Sequence, residues 1–167
     1  MREDIEKLID ESIKLENNIG GLYEVFAKLF PEDKNFWREL VLEEKNHAAI
    51  LRSGKESFLE ANVFPEDILA SSPATLSYIN KELNRLIDNL QKESVSREAA
   101  FNIAYKLEKT AGEIHFQEYM DKKPESEMDR IFQQLNREDK NHAERILSYM
   151  ENNNIPSDDT GIPEFLK

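Results

Sequence analysis

Cysteine is absent from this chain of 167 residues. Without thiols the chain has no disulfide framework, no cysteine-ligated zinc or rubredoxin-type iron centre and no thiol nucleophile. Any metal must therefore be held by oxygen and nitrogen ligands. Helix breakers are also scarce, with 5 glycines and 6 prolines, and strand signals are lacking. This composition predicts long helices with few interruptions.

Positive charge is scarce as well. The chain has 34 acidic and 22 basic side chains, which gives a net charge of -12. Such a chain repels nucleic acid and anionic membranes, so we expect neither as a partner. The N-terminal segment is charged throughout, and no apolar run approaches the roughly 20 residues that span a bilayer. We therefore expect a soluble, cytoplasmic protein.

Apolar periodicity and the positions of the breakers predict four long helices, called A to D, and one shorter helix. The four are expected at about residues 2 to 29, 33 to 53, 95 to 121 and 125 to 151. Asp33 is the expected N-cap of helix B, and Gly54 is expected to end it. The segment from 54 to 94 is a crossover that carries its own amphipathic helix at about 74 to 91.

The connections between A and B and between C and D are short, so each pair should form an antiparallel hairpin. We expect an all-α four-helix bundle over residues 1 to 151, in one domain. Residues 152 to 167 are expected to form a polar C-terminal tail.

One short charged segment occurs twice. EEKNHA at 43 to 48 returns as EDKNHA at 138 to 143, in a chain with only three histidines. The first glutamate of each copy, Glu43 or Glu138, lies about 100° around the helix from the next residue and should face solvent or the bundle edge. The polar positions on the apolar faces are Glu44 and His47 in helix B and Asp139 and His142 in helix D.

The other two long helices each carry an acid in the middle of an apolar face. LENNIGGLY in helix A aligns with LEKTAGEIH in helix C, which matches Glu16 with Glu108 and Tyr23 with His115. At about 1.5 Å per residue, these acids lie at nearly the level of the repeated motif in each hairpin. Four carboxylates and two histidines should therefore converge in one layer.

This convergence has a chemical meaning. Taken singly, each residue is more often a hydrogen-bonded polar group of the core than a ligand, and His115 is expected to be such a group. Four carboxylates together in a low-dielectric interior cannot all stay ionised without compensating charge, which two divalent cations would supply. Carboxylate oxygens mixed with imidazole nitrogens suit iron or manganese.

This arrangement resembles that of the ferritin-like di-iron carboxylate proteins, which have one Glu on each of two helices and Glu-x-x-His on each of the other two. The stretch FAKLFPEDKNFWRELVLEEKNHAAIL is similar to their rubrerythrin-type branch. The resemblance extends over about residues 5 to 150. It implies that Tyr23 lies near the metals and that the iron ligands are Glu16, Glu44, His47, Glu108, Asp139 and His142.

The resemblance also implies a function. A ferritin-like bundle with two iron ions would react with dioxygen or hydrogen peroxide as a ferroxidase or peroxidase, commonly as a homodimer. Rubrerythrins proper carry a rubredoxin domain with four cysteines, so this chain would need an external electron donor. Its second motif has Asp139 where the family has a glutamate, which is one methylene longer.

Two other functions are open. One is a non-catalytic helical protein that keeps the site as a structural or sensory metal centre. Such a protein could instead use the bundle to bind a partner. Within the metal-binding class, a dimanganese catalase-like or iron-storage role is the other alternative.

Overall fold

The computed structural model describes residues 2–58, 73–113, 123–124, 127–159 and 161–167. All regular structure in these ranges is helical, so the all-α prediction is confirmed. The elements are α1 (Arg2–Leu29), a 3-10 turn (Pro31–Asp33), α2 (Lys34–Phe58), α3 (Pro73–Leu90), α4 (Arg97–Glu113), α5 (Glu127–Asn152) and a second 3-10 turn (Glu164–Leu166). Within the described ranges, no helix has the length and apolar character that a membrane crossing requires.

The first helix pair, α1 and α2, packs antiparallel. Lys45 of α2 bonds Glu24 near the turn between the helices, and Lys55 bonds Asp10 far from it, both at 2.6 Å. The expected helix end at Gly54 is wrong, because α2 continues through this residue to Phe58. A glycine costs a helix only about 1 kcal/mol, and Gly54 is buried beside Lys55, whose tertiary contacts hold the helix past it.

The second pair, α4 and α5, is also antiparallel. The rings of Phe101 and Tyr149 stack with centroids 5.4 Å apart. Glu108 lies two turns after Phe101 on α4, and His142 lies two turns before Tyr149 on α5. Glu108 Oε2 is 3.7 Å from His142 Nδ1, as expected of antiparallel helices. Phe101 also packs against the fully buried Trp37 of α2 at 4.4 Å. The two helix pairs therefore share one aromatic core.

The crossover helix α3 lies against α1. Its predicted apolar face is confirmed, since the face packs on the core through Leu76, Ile79, Leu83, Leu86 and Leu90. One polar side chain on this helix is buried: Asn80 accepts a hydrogen bond from Asn18 at 2.9 Å and donates one to the carbonyl of Glu11 at 2.9 Å. These bonds satisfy a buried amide that would otherwise be costly.

The turn between α1 and α2 is tied to the second helix pair by Asp33. This residue directly precedes α2, as expected of an N-cap, but its buried carboxylate turns toward α4 and α5. It accepts two hydrogen bonds from Arg97, each of 2.7 Å, and one of 2.8 Å from the hydroxyl of Tyr149. A paired, hydrogen-bonded carboxylate can be buried here without an uncompensated charge.

The segment predicted as a polar tail packs back onto α4. Asn102 donates to the carbonyl of Pro156 at 2.9 Å and accepts from the backbone N–H of Asp158 at 3.0 Å. Gly161 has φ +79°, and a Cβ there would lie 2.8 Å from the Cβ of Ala99, so this position requires glycine. The apolar side chains of this segment that join the core are Ile155, Ile162 and Leu166.

Candidate metal centre

The first group of candidate ligands comes from α1 and α2. His47 Nδ1 lies 3.5 Å from Glu16 Oε2 and 3.5 Å from Glu44 Oε2. Glu44 and His47 are each 1% exposed, and Glu16 is 14% exposed. Each of the three residues offers one ligand atom, and these atoms lie within 4.8 Å of one another. Such a set can surround a single metal ion.

The second group uses Glu44 again, with one residue from each of α4 and α5. His142 Nδ1 lies 3.0 Å from Glu44 Oε1 and 3.7 Å from Glu108 Oε2. All three residues are buried, and their ligand atoms also lie within 4.8 Å of one another. Because Glu44 presents Oε2 to one histidine and Oε1 to the other, its carboxylate is shared by the two groups.

The closest contact of this group is an ion pair that is poorly aligned for a hydrogen bond. His142 Nδ1 and Glu44 Oε1 approach to 3.0 Å, yet neither atom has a hydrogen-bond partner among the described residues. Buried polar atoms are almost always hydrogen-bonded. A cation between two buried ligand-type atoms that approach closely in poor hydrogen-bond alignment would satisfy both, so these residues fit a metal ion.

Shifted pKa values in both groups also show that their charges need to be balanced. Burial raises the pKa of Glu16 to about 8, an effect that His47 opposes and Glu44 reinforces. Burial by itself lowers the pKa of His47, but Glu16 and Glu44 raise it to about 12. Burial likewise lowers the pKa of His142, but the carboxylates of Glu108 and Glu44 raise it to about 10. Protons on the histidines therefore balance the charge of the carboxylates in this structure.

A glycine lies where α1 approaches α2 at this level. A Cβ at Gly20 would lie 3.3 Å from the Cβ of Glu44, so a glycine here allows the approach. The rings of His47 and His142 face each other across the group, nearly parallel at 14° and with centroids 5.4 Å apart. The two copies of the repeated motif thus contribute one imidazole each to one site.

Tyr23 lies beside the second group. Its side chain is fully buried, its hydroxyl donates a hydrogen bond to Glu108 Oε1, and its ring stacks on Trp37 at 5.5 Å. Asp139 is on α5, one turn before His142, but its side chain lies outside the described part of the chain. His115 also lies outside it.

Glu43 contacts the site, which the sequence did not predict. Its carboxylate lies at the bundle edge, 39% exposed, with Oε2 2.8 Å from His142 Nε2 and 2.6 Å from Arg145. A carboxylate on the outer nitrogen of a ligand histidine fixes the tautomer and orients the ring. The available signal was the glutamate that opens both copies of the motif; the side chain of its counterpart, Glu138, lies outside the described residues.

Comparison with protein-family models, with curated proteins and with solved structures gives no match for this chain. A metal centre is therefore supported by these residues and distances alone.

Proposed function

We propose that this chain is a ferritin-like di-iron protein of the rubrerythrin type. Its four-helix bundle would consist of α1, α2, α4 and α5, with α3 in the crossover. The antiparallel packing within each helix pair supports this assignment, as does the common level of the candidate ligands from all four helices. From the same resemblance we propose a homodimer.

One observation carries the metal assignment: Glu44 belongs to both ligand groups. Glu16, Glu44 and His47 would hold one iron ion, and Glu44, Glu108 and His142 the other. Asp139 would be the sixth ligand, at the position that precedes His142 by one helical turn. Carboxylate and imidazole donors suit iron, with manganese as the alternative.

Bound iron would supply redox chemistry toward dioxygen or hydrogen peroxide, as in a ferroxidase or peroxidase. The chain itself excludes bulk water, since both histidines are 2% exposed or less. The hydroxyl of Tyr23 keeps its proton and donates a hydrogen bond to Glu108. This bond fixes the orientation of the Glu108 carboxylate. Because these 167 residues contain no cysteine, we expect the electrons to come from outside them.

Metal analysis after anaerobic loading with ferrous iron tests this proposal. We expect about two irons per chain in the wild type. Glu44→Gln should lose both, whereas Glu16→Gln and Glu108→Gln should each lose one. Glu39→Gln changes an exposed acid whose ion pair is with Arg145, so it is the matched control and should keep both. A wild-type protein that binds no iron would refute the proposal.

A second candidate is a non-catalytic helical protein that keeps the site as a structural or sensory metal centre. The absence of cysteine favours it, because no thiol or iron–sulfur group of this chain can carry electrons to the site. It predicts metal binding without turnover of peroxide or dioxygen when a chemical reductant is present in excess. Turnover that disappears in Glu44→Gln would exclude this candidate.

A further inference from the structure

A positively charged groove runs between α1 and α2 on the outside of this helix pair. Its volume is about 690 Å³. We call it the basic groove, and the residues that define it are Lys28, Lys34, Arg38 and Lys45 around Ala27 and Val41. All four cationic side chains are exposed. A groove of this sign is unexpected on a chain with a net charge of -12.

Most of this positive charge is not neutralised by ion pairs with the described residues. Lys45 forms an ion pair with Glu24 at 2.6 Å. Lys28, Lys34 and Arg38, by contrast, have no ion pair with any described residue. Acidic side chains outnumber basic ones by 34 to 22, so a cluster of unpaired cations is a local reversal of the overall charge. It makes the groove complementary to an acidic surface.

The basic groove also has an apolar contact point. Leu42 lines it and is 68% exposed, more than any other large apolar side chain in the described part of the chain. An exposed apolar side chain surrounded by polar groups matches the arrangement of a protein interface, which has an apolar centre and a polar rim. A small phosphate ion would use the cations but not the leucine, so the groove fits a protein partner better.

The groove backs onto the candidate metal centre. Val41 lines the groove and lies one helical turn before Glu44, while Lys45 directly follows Glu44. On α1, Glu24 lies one turn beyond Gly20, the residue at which α1 approaches Glu44. The groove and the site therefore occupy neighbouring faces of the same two helices.

We propose that the basic groove docks a small acidic electron-donor protein. The inference rests on the proposed function, which needs electrons that this chain cannot carry without cysteine. In each encounter the reduced donor would lose one electron, iron held by the candidate ligands would gain it, and no covalent bond would form. A second acidic copy of this chain is the competing occupant.

Binding of an acidic plant-type [2Fe–2S] ferredoxin, measured by calorimetry on the full chain with and without iron, tests the proposal. We expect binding at low ionic strength that weakens as salt screens the charges. The triple variant Lys28→Glu, Lys34→Glu, Arg38→Glu should bind at least about tenfold more weakly. The matched control is Lys81→Glu, Lys92→Glu, Lys123→Glu, which changes the net charge equally at exposed positions outside the groove and should retain most of the binding.

Three outcomes would overturn the proposal. The first is no salt-sensitive binding of the ferredoxin, and the second is equal weakening in the groove and control variants. The third is a dimer in sedimentation that only the groove variant dissociates, which would assign the groove to a second copy of the chain. Iron content is measured on the same samples. Two irons without groove-specific binding refute docking alone, whereas no iron in the wild type refutes the proposed function and the electron-donor role with it.

Discussion

At the scale of single residues, Glu44 presents one carboxylate oxygen to each histidine of the repeated motif. Its Oε2 lies 3.5 Å from His47 Nδ1 and its Oε1 3.0 Å from His142 Nδ1. The sequence places Glu44 on the apolar face of its helix, but the 3.6-residue period does not say which neighbours each oxygen meets. That sharing depends on how α5 packs against α2.

The contact between Glu43 and His142 leads to a prediction about metal affinity. Glu43→Gln removes the charge on the outer nitrogen of His142 while keeping a similar side-chain shape. Removing such a partner typically weakens metal binding by about tenfold to a hundredfold. Chelator competition against ferrous iron or manganese measures the change in affinity. Only the ion held by the group that contains His142 should bind more weakly.

Glu39→Gln is the control for this prediction. Glu39 is 67% exposed and lies 3.5 Å from the same Arg145 that contacts Glu43. If both variants bind metal equally well, then Glu43 serves only the surface ion pair with Arg145 and has no role in orienting His142.

The two copies of the motif differ at one position, where the first has Glu44 and the second has Asp139. Both residues are predicted ligands. Asp139→Glu restores the longer side chain and should preserve metal binding or tighten it by up to about tenfold. Asp139→Asn, which removes the charge, should weaken the second ion. Metal content after loading and dialysis measures both. Lower metal content in Asp139→Glu would show that this position is not aligned with the family's glutamate.

At the scale of elements, Asp33 shows how the helix pairs are held together. The sequence predicted a helix cap, because an acid before a helix usually bonds the first N–H groups. The carboxylate instead bonds Arg97 of α4 and Tyr149 of α5. These partners are 64 and 116 residues away in sequence, so no local pattern indicates them.

This network predicts a large effect on stability. Arg97→Met leaves the carboxylate of Asp33, 1% exposed, without its cation. The expected loss is about 3 kcal/mol in the free energy of unfolding, because breaking a buried ion pair strands the remaining charge. Urea denaturation measures it. The double variant Asp33→Asn, Arg97→Met should recover part of the loss; simple addition of the two single effects would mean that the residues act independently.

At the scale of the whole molecule, the buried charges predict how the stability of the metal-free protein depends on pH. The pKa of Glu16 rises from 4.5 to about 8, that of His142 from 6.5 to about 10 and that of His47 from 6.5 to about 12. In each case the folded chain keeps a proton that the unfolded chain has released. Each contribution is complete below the unfolded pKa and is lost as the pH rises through the folded pKa.

Stability of the metal-free protein should therefore begin to fall above pH 4.5 through Glu16 and fall most steeply between 6.5 and about 8, where all three groups contribute. The slope should be about 1.4 kcal/mol per pH unit for each retained proton. Urea unfolding at several pH values, with a chelator present, measures the slope. His142→Gln should reduce it, and saturating metal should remove it, because the cation replaces the protons. A flat profile in the wild type would contradict the assigned charge balance.

Much of the fold followed from the sequence. The period of apolar residues and the few breakers predicted α1 at 2 to 29 and α3 within one residue of its bounds. The prediction failed at Gly54, where tertiary contacts hold the helix against a weak local preference. The role of the five described candidate residues as metal ligands stays a prediction, although the structure brings Glu16, Glu44, His47, Glu108 and His142 together.

The sequence by itself determined the helices, the absence of thiol chemistry and the level at which acids and histidines meet, because helical rise and residue type are local properties. Only the tertiary structure decided that Glu44 joins two groups, that Glu43 contacts His142 across two helices and that unpaired cations share one groove. Those features depend on how helices rotate and pack against each other, which is set by the whole core and by no single segment.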